Sequence, residues 1–134
     1  MGNRAVITYA PYNENNAGIY VHWNGGRASV EAFLQACKEL GYRDPASDPS
    51  YAMARLTQVI SAFFPDGLSV GIGAARQLDQ HNYDNGVYVI GQDWQIVERM
   101  FNEGAEEINE VKTAEIKQSV VETIKMQQKI HEKD

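Results

Sequence analysis

Gly18-Ile-Tyr-Val-His-Trp-Asn-Gly-Gly-Arg27, followed without a break by Ala28-Ser29-Val30-Glu31, reads as an apolar strand running straight into a helix. Two consecutive glycines let the backbone turn tightly or approach another group closely. A helix that starts at Ser29, with the hydroxyl as N-cap, presents unpaired N–H groups and the positive end of its dipole. Such an end can hold an anion. Side chains with recognition chemistry crowd the same junction: His22, Trp23, Asn24 and Arg27.

Outward from this junction the pattern alternates in long blocks. Arg4–Ala10 has the alternation of a strand, and the turn-rich Pro11–Gly18 closes a hairpin onto Ile19–Trp23. Val30, Phe33, Leu34, Cys37 and Leu40 recur at helical spacing up to Gly41, which has the character of a helix C′ residue. A second helix is expected over Ser50–Phe63, stopped by Pro65-Asp-Gly67. Leu68–Ile72, Val87–Ile90 and Trp94–Phe101 read as strands, with tight turns at Asp84-Asn-Gly86 and Gly91-Gln-Asp93. Ala74–Asn82 is either a loop or a short helical turn. From Asn102 aromatic residues vanish, and Thr113–Lys133 reads as one charged helix. Its stripe, Ile116, Val120, Ile124 and Ile130, is thin and is interrupted by Gln127. A stripe of that kind packs on its own domain or pairs across a dimer. The predicted fold is α+β in a single domain. An antiparallel sheet of about five strands carries a helix pair on one face, with a long C-terminal helix added. Residues 1–103 form the α+β unit and 104–134 the charged helix.

The chain has 134 residues and a net charge of −6, which argues against a direct nucleic-acid binder needing a basic stripe. A single cysteine, Cys37, excludes an internal disulfide, and its place on an apolar helix face marks it as a small core residue. No apolar run approaches the ~20 residues of a membrane helix, and no secretory leader is expected.

No catalytic constellation assembles. Asp79, His81 and the Asp84-Asn85 turn lack the spacing of a metal site, so no metal and no cofactor are expected. The glycines match neither a dinucleotide fingerprint nor a phosphate loop. Arg55, bordering the apolar face of the second helix with Gln58 three residues on, calls for a carboxylate or a ligand as partner. Glu31 and Asp66 are the carboxylate candidates.

Tyr20-Val-His-Trp-Asn-Gly-Gly-Arg27 with Ser29-Val-Glu-Ala-Phe33 resembles a group of small, mostly uncharacterised bacteriophage and prophage accessory proteins. The resemblance extends to Met1-Gly-Asn-Arg-Ala-Val-Ile7, Ala54-Arg-Leu56, Gln58-Val-Ile60, Leu68-Ser-Val-Gly-Ile72 and Asp84-Asn-Gly-Val-Tyr88. It covers roughly the first hundred residues and leaves out the C-terminal helix. What it implies is an accessory role in the cytoplasm of a bacterial host, where small proteins counter host defence; it assigns no catalytic residue.

Two functions are therefore weighed. In the first, a nucleotide-like or other anionic small ligand, such as a defence signal, is held at the junction. His22, Trp23, Asn24, Gly25, Gly26, Arg27 and Ser29 would bind it, helped by Arg55 and Gln58. In the second, the acidic surface and C-terminal helix block a host defence protein, as some anti-CRISPR proteins do. A third reading makes His22 the base of a nucleotide hydrolase. Arg27 and Arg55 converging in one cleft would favour the binder.

Overall fold

Ala5, Val6, Ile7 and Thr8 are all buried, so the first strand, β1 (Ala5–Tyr9), is covered on both faces. This places it at the centre of the sheet. In a computed structural model the described residues are 2–64, 69–103, 106 and 108–132, with the side chains of 131 and 132 excepted. The other elements are β2 (Ala17–Val21), α1 (Arg27–Glu39), α2 (Pro49–Phe63), β3 (Val70–Ala74), β4 (Val87–Ile90), β5 (Ile96–Met100) and α3 (Glu110–Glu132). The fold is α+β, with a five-stranded sheet in the order β3-β2-β1-β4-β5.

Three of the four pairings are antiparallel, but β1 and β4 run parallel, with Val6 opposite Val87 and Tyr9 opposite Ile90. The sheet is thus mostly antiparallel, as the sequence predicts, with this one parallel pairing added. Tight turns dictate the direction of sequence neighbours only, and β1 and β4 are joined through the whole helical segment. Buried, near-continuous apolar runs such as Val87–Ile90 are what a parallel central strand carries.

Ala5, Ile7, Ile19, Val21, Tyr88 and Ile90 face the helices, where Phe33, Leu34, Leu56 and Ile60 meet them in one core. On the opposite face Val6, Val87 and Val89 are covered by Tyr12, Tyr20, Leu78 and Met100. Phe63, at the end of α2, is half-buried beside the helix-facing core; its ring centroid lies 5.7 Å from that of Phe33.

Helix ends explain where the sequence boundaries shift. α1 starts at Arg27 with Gly26 as N-cap, so Ser29 is a buried first-turn residue and not the cap. At the other end Gly41, at φ +78°, donates its N–H to Lys38, and Tyr42 donates to Cys37. This paired closure is the Schellman arrangement. Asp48 caps α2 through Tyr51 N–H at 3.2 Å, and Pro49 occupies N1, where no N–H is needed. Asn109 caps α3 by accepting from Lys112 N–H at 3.0 Å, so α3 begins three residues before Thr113. A short 3₁₀ turn over Gln92–Trp94 replaces the start of the predicted last strand, and another over Ala75–Gln77 resolves the ambiguous stretch. β2 ends at Val21, two residues early, because Asn24 at φ 59° turns the chain. Pro65-Asp-Gly67, Leu68, Gly104 and Lys133 lie outside the described residues.

The stripe of α3 packs on the domain: Ile116, Val120, Val121 and Ile124 are buried in the main core, against α1 and α2. Ile130 is exposed, so the stripe ends before the helix does. Among the described residues no helix is long and apolar enough to cross a membrane.

Phe33→Ala should destabilise the fold by about 3–5 kcal/mol, as a fully buried aromatic truncation does. Phe63→Ala, at a half-buried position, should cost distinctly less. Urea denaturation of the two variants checks the order; equal losses would contradict the core assigned here.

Candidate functional site

Of the two junction glycines, Gly25 has a packing role and Gly26 is the N-cap of α1. Gly25 donates its N–H to Asn3 carbonyl at 2.8 Å, and a Cβ there would stand 2.5 Å from Asn3 oxygen and 2.8 Å from Ala5 Cβ. The residue must be glycine because the chain passes against the start of β1. Tyr88, buried below it, donates its hydroxyl to Gly25 carbonyl at 2.8 Å; burial pushes this phenol up to about 12, so it stays protonated. Asn24, in the left-handed region that asparagine tolerates, donates to Ser29 Oγ at 3.1 Å.

Arg27 carries the anion-binding expectation here, and its charge is already matched. Its guanidinium pairs with Glu31 at 3.4 Å and with Glu106. Glu106 also pairs with Arg99, which lies 3.8 Å over the Tyr88 ring and donates to Asn85 carbonyl at 2.9 Å. A hollow of about 410 Å³ between the starts of α1 and α3 is lined by Arg27 together with Glu31 and Glu110. Its formal charge is therefore acidic on balance.

His22 is half-buried and turned toward Tyr20, with Nδ1 at 2.9 Å from the Tyr20 hydroxyl. The backbone of Gly2 closes over its ring: a Cβ on Gly2 would come within 2.9 Å of Nε2. Trp23, 47% exposed, stands edge-on to the same imidazole. His22 is thus packed between neighbours.

Arg55 and Gln58 are brought together elsewhere, as their i, i+3 spacing on α2 requires. Arg55 Nη1 donates to Gln58 Oε1 at 2.8 Å. The guanidinium carbon sits 4.7 Å from the Tyr51 ring, one turn back on α2, and 5.6 Å from Tyr42, just after the α1 closure. Tyr42 is held in turn by Trp94, whose indole donates to its carbonyl at 3.0 Å. Burial raises the Tyr42 hydroxyl above its ordinary value against the lowering effect of Arg55, so it remains a donor at neutral pH. Arg55 Nε is buried and has no hydrogen-bond acceptor. Among the described residues no carboxylate pairs with this guanidinium; Glu31 is taken by Arg27, and Asp66 lies outside them.

This side chain lines a groove of about 600 Å³ between α2 and the second half of α3. Gln58, Ser61, Gln127 and Gln128 supply its polar rim, and Tyr42, Ala62 and Ile124 its less polar wall. Among the described residues no carboxylate lines it. The junction hollow and this groove share no lining residue, so Arg27 and Arg55 do not converge in one cleft. Tyr42, Tyr51, Gln127, Gln128 and Arg99 were missed as site residues. Only Gln127 carried a signal, since it breaks the apolar stripe of α3 at the position that lines the groove.

The remaining polar clusters are structural. Buried Asn82 donates to Asp79 and Gly86 carbonyls and accepts from Asp84 and Gly86 N–H, which satisfies its amide and shapes the turn. Asp84 in turn pairs with Arg4 at 2.8 Å; burial pushes its carboxyl up, but the Arg4 hydrogen bonds outweigh this and hold it below its ordinary value. Burial drives the Cys37 thiol far above its ordinary value, so it is an inert core residue. Among the described residues no group of three or more His, Cys, Asp or Glu side chains is placed to hold a metal ion. Comparison with protein-family models, curated proteins and solved structures finds no match.

Gly25→Ala should destabilise the fold by about 1–3 kcal/mol, the cost of forcing an extra carbon into a packed site. Chemical denaturation reads it; a fully stable variant would mean that the glycine is not held by its contact with β1.

Proposed function

We propose that the protein binds a small anionic ligand, and that the ligand sits in the groove between α2 and α3 around Arg55. One observation carries this reading: a half-buried guanidinium, fixed on two tyrosine rings, has no countercharge among the described residues and a buried Nε–H without an acceptor there. Leaving such a donor unmade costs about 1–3 kcal/mol. An anion that draws the guanidinium toward the groove, so that Nε–H reaches it, recovers that cost and adds a charge-assisted hydrogen bond. With Nη1 engaged by Gln58, no hydrogen bond among the described residues uses the Nε/Nη2 edge of the fork, and that edge matches a carboxylate or phosphate bidentately. The tyrosines pre-arrange the side chain, which lowers the ordering cost of binding.

This keeps the ligand class expected from the sequence and moves its site. At the junction an incoming anion would have to displace Glu31 and Glu106 from Arg27; in the groove no described carboxylate competes with it. The resemblance to phage accessory proteins supports testing host signalling nucleotides first. No step is proposed for the ligand: among the described residues the groove is lined by one guanidinium, amides, a serine and apolar side chains.

Arg55→Gln should weaken binding of the anion by tenfold to a hundredfold, from about 1.5–3 kcal/mol for a hydrogen bond to a charged group. Arg27→Ala should leave the affinity unchanged. Calorimetric titration with nucleotides reads both. Loss of binding in Arg27→Ala with Arg55→Gln unaffected would return the site to the junction. No heat with any anion, together with tight binding to a host defence protein, would replace the proposal with the inhibitor reading.

A further inference from the structure

We infer that the ligand of the Arg55 groove is a singly charged phosphate ester bearing a flat, uncharged hydrogen-bonding head, the chemistry of a cyclic mononucleotide. The inference rests on the anion-binding reading and specifies its substrate class by charge and by rim chemistry.

The charge comes first. Among the described residues one guanidinium lines the groove, with no lysine and no carboxylate beside it. The neighbouring Arg43 is engaged, paired with Asp48 at 3.7 Å and stacked 4.2 Å from the Tyr51 ring. A single positive group matches a single negative one. A triphosphate needs several cations or a metal to offset its charge, and this groove offers one fork.

The rim fixes the rest. Gln58, Gln127 and Gln128 each present a donor and an acceptor within one amide. Gln58 already accepts from Arg55, which leaves its NH₂ group to donate. Paired donors and acceptors of this kind read the edge of a nucleobase, while a bare phosphate would leave them idle. Tyr42 and Ile124 supply an apolar wall for the face of a planar ring. The volume, about 600 Å³, falls in the range of pockets that take small organic ligands.

Specificity therefore divides between two parts of the groove. Arg55 holds the charged group and is blind to the head. The glutamines of α3 read the head and are blind to the charge.

Calorimetric titration of the full chain with adenosine and guanosine 3′,5′-cyclic monophosphate, ATP and inorganic phosphate tests the assignment. At least one cyclic mononucleotide should bind ten times or more tighter than either ATP or phosphate. Gln127→Ala, at an exposed helix position that leaves the fold intact, should weaken the cyclic nucleotide and leave phosphate unchanged. ATP binding tightest, phosphate matching the cyclic nucleotides, or no effect of Gln127→Ala would overturn the substrate class while the anion-binding reading stands. No heat from any of the four, or heats unchanged in Arg55→Gln, would overturn both.

Discussion

The docking of α3 onto α1 and α2 is the contact on which the rest of the molecule depends. Ile116, Val120, Val121 and Ile124 are buried there, each worth about 1.5–3 kcal/mol relative to exposure. An isolated helix of this composition is marginal in water, so the stripe and the surface it covers stabilise each other. Thr113 pins its first turn by donating to Ala28 carbonyl at 2.8 Å, and Lys117 pairs with Glu39 at 3.4 Å further along. The same docking makes the groove, because Ile124, Gln127 and Gln128 form the wall opposite Arg55. The helix that the first hundred residues leave without a counterpart thus completes the candidate site.

Countercharge decides between the two arginines that the sequence singles out. Both sit at helix positions where an anion would be welcome. Arg27 heads α1, where the dipole adds its own attraction, yet Glu31 one turn on and Glu106 from the β5–α3 connection neutralise it. Arg55 lies in mid-helix without dipole assistance and finds aromatic faces and an amide in place of a carboxylate. Contacts of this kind hold a guanidinium in place without cancelling its charge. The favoured site is consequently the one with less local electrostatic help and more unsatisfied demand.

Local periodicity made most of the fold legible in the sequence. The apolar spacing of Val30, Phe33, Leu34 and Cys37 placed α1, and Gly41 placed its end; the Asp84-Asn-Gly86 turn placed β4. What stayed hidden were relations between distant segments. The parallel pairing of β1 with β4 joins strands roughly eighty residues apart, and no turn residue announces it. The cap of α1 is hidden for a similar reason: Ser29 has the right chemistry, but the chain passes against β1 at Gly25 and the N-cap falls at Gly26, three residues sooner. At the site, the Arg55–Gln58 pair was legible because both lie on one helix. Its tyrosines and the α3 glutamines were not, since only tertiary packing brings them to it. The junction glycines were legible as special positions, while the reason for them, the backbone of Asn3, lies more than twenty residues away.

The most direct measurement of the central claim is an NMR titration of the isotope-labelled full chain with adenosine 3′,5′-cyclic monophosphate, following the arginine Nε–H and glutamine side-chain amide signals. Binding in the groove predicts that Arg55 Nε–H moves with the amides of Gln58, Gln127 and Gln128, while the backbone N–H groups of Ala28, Ser29 and Val30 stay in place. Movement confined to Arg27 and the first turn of α1, with Arg55 unperturbed, would contradict the account.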